Sequence, residues 1–394
     1  MPNVAPFVAL DMVEKLIPAV LRGGPTQWPL ESDPGGTLRF VALARYHGVM
    51  PLLHECLSRM TGKEAWPQTI LDACREEAIY QAKIELARRQ EIRGVLDALA
   101  MAGIKPLVLK GGMLAYTHYP NPVLRPRADT DILIPRVLAK RSEGSLALLG
   151  YERSQGITGD LISYQASWSR SDHMGATHDL DVHWRINNSQ ILAQVLSYGE
   201  LEPRSMPLPV MGPNAYALAP VDALLVACIH RTGHANVAYY VGDIPYVGGD
   251  RLIWLYDIHL LISAMSRTEL HEFAALAGSK QIKAICLDAV MRCRRYFATP
   301  IPPDVLAALT PSGRMEPSAR YFSGGRLRQM LGDCLALESW GDRARWVREL
   351  AHPSEVYMRS KYPDAANTWL PFLYGRRAWD WLRKLATGSG GHEH

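Results

Sequence analysis

The sequence lacks most of the features that would set it apart from ordinary globular enzymes. Its six cysteines, Cys56, Cys74, Cys228, Cys286, Cys293 and Cys334, are scattered, with no C-x-x-C pair and no dense framework. That excludes a disulfide-built scaffold and predicts buried free thiols in a reducing compartment. No apolar run approaches the roughly 20 residues that cross a bilayer. The first residues show no basic stretch ahead of an apolar one, so a secretory leader is not expected. Charge of one sign is also scarce. A net +4 over 394 residues comes without a concentrated basic track, which argues against a template-reading polymerase and against nucleic acid as a partner. Together these absences predict a cytoplasmic protein with no membrane partner. What remains is 48% apolar and 21% charged, ordinary for a globular chain and long enough for two or three compact units.

The most informative stretch is residues 109–134, LKGGMLAYTHYPNPVLRPRADTDILI. The pair Gly111-Gly112 ends an apolar run. Further on come Asp129 and Asp131, followed by Ile132-Leu133-Ile134. On a strand, alternate side chains share a face, so the two carboxylates project together while Thr130, Ile132 and Ile134 face the opposite layer. Two such carboxylates repel unless something positive lies between them. A divalent cation carrying a nucleoside triphosphate suits that place, because hard cations take carboxylate and phosphate oxygens together. The glycine turn could cradle the phosphates through its backbone N–H groups. A further carboxylate is offered by His178-Asp179-Leu180-Asp181-Val182-His183-Trp184, where Asp179, Asp181 and His183 share a face.

The ordered set Lys110-Gly111-Gly112, Arg125-Pro126-Arg127-Ala128-Asp129-Thr130-Asp131 and Asp181-Val182-His183-Trp184 resembles the uncharacterised nucleotidyltransferase family of the polymerase-β-like superfamily. Arg45 to Leu53 resembles that family's N-terminal helical signature. Cys228-Ile229-His230 with Arg251 to Ile258 resembles its C-terminal one, and His352-Pro353-Ser354 with Tyr357-Met358-Arg359 fits its tail. The resemblance spans roughly residues 40 to 380. It departs at Thr130, where the family usually has an apolar residue; threonine is still at home in a strand.

The resemblance implies an α+β fold: a polymerase-β-like core, with a mixed β-sheet and flanking helices, plus N- and C-terminal helical regions. It implies an Mg2+-dependent transferase that moves an NMP from an NTP to a hydroxyl, amine or phosphate of a small molecule, peptide or protein. Two Mg2+ ions, or Mn2+ in their place, would lie on Asp129, Asp131 and Asp181, with Asp179 the rival third carboxylate. Asp181 would also accept the acceptor's proton. Lys110, Gly111, Gly112 and Arg125 would contact phosphate, with Arg127 a further candidate. The alternatives are an NTP-dependent kinase on the same fold and a non-catalytic antitoxin or biosynthetic-cluster accessory protein.

Other residues have plainer readings. His183 orients a carboxylate by a hydrogen bond or points to solvent, with direct metal binding the lesser option. His230 and His234 lie four apart on a helix, a zinc-compatible spacing. Arg231 stands where a metalloprotease motif needs glutamate, so a structural pair or an acceptor-pocket lining is favoured. Asp257 and Trp254 read as packing and cleft edge.

Along the chain, helices are expected over 7–22, 37–60, 67–102, 112–119 and 136–150, with short strands at 105–109 and around 129–134. The region 151–213 reads as β-rich. Mostly helix follows Pro220, apart from a glycine-rich loop at Tyr239–Gly249. The expected units are a helical region at 1–99, a catalytic core at 100–213, a helical region at 214–386 and a disordered tail at 387–394.

Overall fold

A computed structural model describes residues 12–24, 27–29, 35–154, 159–172, 175–234, 239–241, 244–246, 249–365 and 367–387. Three helices open the described chain: α1 (Met12–Leu21), α2 (Gly36–His47) and α3 (Met50–Arg59). The single helix expected over 37–60 is thus two. Gly48 closes α2 in the left-handed region at φ 69°, and Pro51 sits in the first turn of α3, where its missing N–H costs nothing. A side chain at Gly48 would also collide with the guanidinium of Arg251, at 2.8 Å. Helix α4 (Gln68–Met101) runs 34 residues, about 50 Å, close to its expected bounds. It ends at Gly103, φ 72°.

The centre is one seven-stranded mixed sheet. Its strands are β1 (Leu107–Val108), β2 (Asp129–Leu133), β3 (Glu152–Arg153), β4 (Gln165–Ser171), β5 (Thr177–His183), β6 (Met206–Pro207) and β7 (Tyr216–Ala217). Their spatial order is β3-β4-β5-β2-β1-β7-β6. The inner pair β2 and β5 is parallel, and β4 lies antiparallel on β5. One face carries Thr130, Ile132, Leu180, Val182, Ala166 and Trp168, all buried. These β-branched, aromatic and aliphatic residues pack on the helices, which fixes the register and sends Asp129, Asp131, Asp179, Asp181 and His183 to the opposite face.

Helix α5 (Lys110–Thr117) follows β1, and α6 (Ala139–Leu148) follows β2. The stretch expected to be β-rich changes character after β5: the short helices α7 (Gln190–Ala193) and α8 (Tyr198–Leu201) intervene before β6. Ser197 and Glu200 form a reciprocal capping box that starts α8. The seventh strand joins beyond residue 213, beside β1.

Beyond the sheet come α9 (Pro220–His234), a hairpin of β8 (Tyr239–Val241) and β9 (Ile244–Tyr246), and α10 (Leu252–Ala264). The hairpin replaces the expected loop. Then follow α11 (Arg267–Ser279), α12 (Lys283–Phe297), α13 (Pro303–Leu309), α14 (Pro317–Phe322), α15 (Arg326–Ala336), α16 (Trp340–Ala351), α17 (Glu355–Lys361) and α18 (Leu370–Thr387). The residues after 387 in the expected tail lie outside the described ones. One continuous apolar core runs from Val13 to Leu309 and joins the N-terminal helices, the sheet and α9–α13. A separate small cluster of Tyr357, Met358, Tyr362 and Leu373 holds α17 to α18. Cys74, Cys228, Cys286 and Cys293 are buried free thiols, while Cys56 and Cys334 are half-buried.

Candidate active site

The parallel register of β2 and β5 sets Asp129 beside Asp179, Asp131 beside Asp181 and Leu133 beside His183. Antiparallel β4 adds Ser169 next to Asp179 and Ser167 next to Asp181. The polar face of three adjacent strands is therefore a patch of carboxylates with hydroxyls and one imidazole. Depth separates the acids: Asp131 is buried, Asp129 and Asp181 are half-buried, and Asp179 is exposed. Ligand atoms of Asp131, Asp181 and His183 all lie within 4.8 Å of one another. The Gln165 amide donates to Asp181 Oδ2 at 3.0 Å, which holds that carboxylate in orientation.

Lys110 is the cation of this patch. Its ammonium donates to Asp131 Oδ1 at 2.6 Å, and His183 Nε2 lies 2.8 Å from the same oxygen. Burial works to raise the Asp131 carboxyl, but the Lys110 charge and the His183 contact outweigh it and hold the group well below the usual carboxylate range. Asp129 shows the opposite balance. Burial first, then the charges of Asp131 and Asp181, raise it to about 7 against the pull of Lys110. Burial likewise opposes the charge on Lys110, and the three carboxylates override it, so the amine stays protonated. One lysine therefore satisfies Asp131 and leaves Asp129 in a negative field.

The backbone around Lys110 is strained: its φ is 50°, a left-handed conformation that costs a β-carbon residue about 1–2 kcal/mol. Immediately before it, the Leu109 N–H donates to the Asp131 carbonyl at 2.9 Å, so the chain leaves β1 against β2 and turns at once into α5. The glycine pair has a steric reason to be there. A Cβ at Gly111 would lie 2.9 Å from Arg125 Cζ, and one at Gly112 would lie 3.1 Å from Val108 Cγ1. Both glycines are buried within the first turn of α5, where helical N–H groups lack intrahelical partners.

Arg125, expected to contact phosphate, is buried and gives its fork to Asp257 of α10. Its Nε and Nη2 donate to Asp257 oxygens at 2.8, 3.0 and 2.7 Å. Tyr119 Oη donates to Asp257 Oδ1 at 2.8 Å. The guanidinium thus roofs Gly111 rather than standing open toward a ligand. Arg127, the other arginine candidate, pairs with Glu85 of α4 at 2.9 Å. Asp257 was legible only as packing, yet it is a lone carboxylate in the apolar run Leu-Ile-Trp-Leu-Tyr-Asp-Ile, and such a group demands a buried cation.

His230 borders the same patch. Burial first, then His234, Lys110 and Arg125, push its imidazole well below the usual range, with Asp131 opposing. It is therefore neutral. Its ring packs on His234 at 4.5 Å and meets Trp254 edge-on at 5.4 Å. Among the described residues, no third metal-ligating side chain joins the two histidines.

No curated protein matches the chain. A family model described as uncharacterised nucleotidyltransferase matches residues 34–298, well over half of the 394 residues. That span takes in the whole carboxylate patch and α9–α12, and leaves the His352–Arg359 tail signature outside it.

Proposed function

The chain belongs to the uncharacterised nucleotidyltransferase family, and on that footing we propose that it transfers a nucleoside monophosphate from an NTP to a small-molecule, peptide or protein acceptor. The observation that carries this reading is the parallel β2–β5 register, which lines up Asp129 and Asp131 with Asp181. The donor set fits a hard divalent cation. It is built of carboxylate oxygens, and its charge is only partly offset by Lys110, as the raised Asp129 shows.

Asp129, Asp131 and Asp181 would hold Mg2+, which when bound lowers the acceptor's proton affinity and offsets charge on the leaving phosphates. His183 and Gln165 fix the rotamers of Asp131 and Asp181, so the ligand oxygens are pre-aimed. Asp181, half-buried at the rim, takes the proton from the acceptor oxygen or nitrogen. That atom bonds to the α-phosphorus as the bond to the bridging β-oxygen breaks and pyrophosphate departs. Lys110 supplies positive charge beside the phosphates, and the first turn of α5 offers N–H donors and a favourable dipole. Arg125 acts through position, holding the Gly111 turn down against α10.

The test supplies purified protein, Mg2+ and cell extract with NTP labelled at the α- or the γ-phosphate. Label transferred from the α-position supports the proposal, and the size of the labelled product gives the acceptor class. Label transferred only from the γ-position would overturn it in favour of a kinase on this fold.

A further inference from the structure

The C-terminal helices beyond the family match turn apolar faces outward. On α15, Leu327, Leu331 and Leu335 recur every four residues and are all exposed, Leu331 by 63%. On α16, Trp340 (82% exposed) and Val347 (51%) lie on one stripe with Ala344 and Ala351 between and beyond them. On α18, Phe372, Trp379 and Leu382 are exposed, with Trp369 just ahead of the helix. The small apolar cluster that holds α17 to α18 takes only Leu373 from these three helices, and α16 buries Trp346. Scattered surface apolar residues need no explanation, but exposed apolar stripes repeated on three helices of one stretch of chain do.

The charges sort with the stripes. Residues 311–387 hold thirteen Arg and Lys against eight Asp and Glu, whereas the whole chain nets only +4. On α15, α16 and α18 every carboxylate has a protein partner and none is among the exposed residues. Asp333 accepts from Ser189, Gln190 and Tyr321. Asp342 bonds the Ser339 cap, Glu349 takes the Leu161 N–H and Arg345, and Asp380 accepts from Tyr362. The outward faces carry large apolar groups and the exposed arginines Arg328 and Arg348.

We propose that α15, α16 and α18 seat the protein on an anionic lipid surface. Tryptophan, phenylalanine and leucine enter the boundary between headgroups and acyl chains, and the arginines meet lipid phosphates. A second copy of the chain is a poor occupant, because it would bring a like-charged face. Nucleic acid gives the leucine stripe nothing to bury. No described helix is long and apolar enough to cross a membrane, and a helix lying in the interface needs no such length.

The test is co-sedimentation of the full chain with phosphatidylcholine vesicles, with and without phosphatidylglycerol. The protein should pellet with the anionic vesicles alone, weaken as salt is raised, and show a blue shift of tryptophan emission. The double variant Trp369→Ser/Trp379→Ser should lose about tenfold in vesicle affinity, since binding scales with buried apolar area. Leu86→Gln, an equally exposed site on α4, should lose none. Failure to pellet with anionic vesicles would overturn the proposal and leave an acidic protein surface as the occupant. So would equal pelleting by the double variant while its circular dichroism matches the parent.

Discussion

Asp129 and Asp131 share a strand face, yet their removal should move stability in opposite directions. Asp129 is raised from 3.8 to about 7 by burial and by its two carboxylate neighbours. A raised acid favours the folded state fully below its unfolded value, and that contribution is lost as pH rises through about 7. Holding the ionised carboxylate in that field at pH 8 costs at most about 4 kcal/mol, and solvent screening of a half-buried group leaves about 1–3 kcal/mol. In the metal-free protein Asp129→Asn should therefore raise the melting temperature by a few degrees at pH 8 and by roughly a third as much at pH 5. Asp131→Asn should do the reverse. It strands Lys110 in a buried site and costs about 3 kcal/mol or more at both pH values. Both variants should abolish turnover, and both should lose most of the stabilisation that Mg2+ gives the parent protein. Thermal unfolding in EDTA and in Mg2+, at the two pH values, reads each of these effects. An Asp129→Asn protein that melts below the parent at pH 8 without metal would refute the charge argument. So would a difference that does not shrink at pH 5.

Asp257→Asn keeps the shape of the clasp but leaves the buried Arg125 charge without a counterion. A loss of about 3 kcal/mol in chemical denaturation is expected, with weaker binding of a fluorescent NTP. Gly111→Ala would press a methyl group into the Arg125 guanidinium and should cost about 1–3 kcal/mol. Pairing it with Arg125→Ala should recover much of that cost, and a double-mutant cycle measures the recovery. His230 is held neutral, so its contribution to stability falls as pH drops below its ordinary 6.5. His230→Gln should flatten the stability profile there and leave the activity profile above pH 7 unshifted.

Much of the site could be read from local pattern, because a strand's two-residue period fixes which side chains share a face. Asp129 with Asp131, and Asp181 with His183, needed nothing beyond that alternation. The 34-residue helix α4 was equally open, its stop marked by Gly103. Pairings distant in sequence were not legible. Nothing near Arg125 says that its partner lies 132 residues on, and an arginine beside a glycine turn reads as a phosphate contact. The change from strand to short helices after His183 was hidden because residues 190–201 form single turns, too brief to show a helical period. The hairpin strands at 239–246 lie in a stretch whose glycines, Gly242, Gly248 and Gly249, read as a loop. The tail signature proved to be helix-start chemistry: Ser354 caps α17, and Tyr357 and Met358 fill the small C-terminal cluster.

The Arg125–Asp257 clasp also sets an order of assembly on the ribosome. Arg125 leaves the exit tunnel 132 residues ahead of its counterion, a lag of roughly seven to twenty-six seconds at ordinary synthesis rates. A guanidinium cannot be buried alone, so Gly111 cannot be roofed, nor the acidic strand fully enclosed, until α10 has been made. The nascent chain therefore carries its complete set of carboxylates for many seconds in an open, solvated form, and the finished pocket closes only when most of the protein exists.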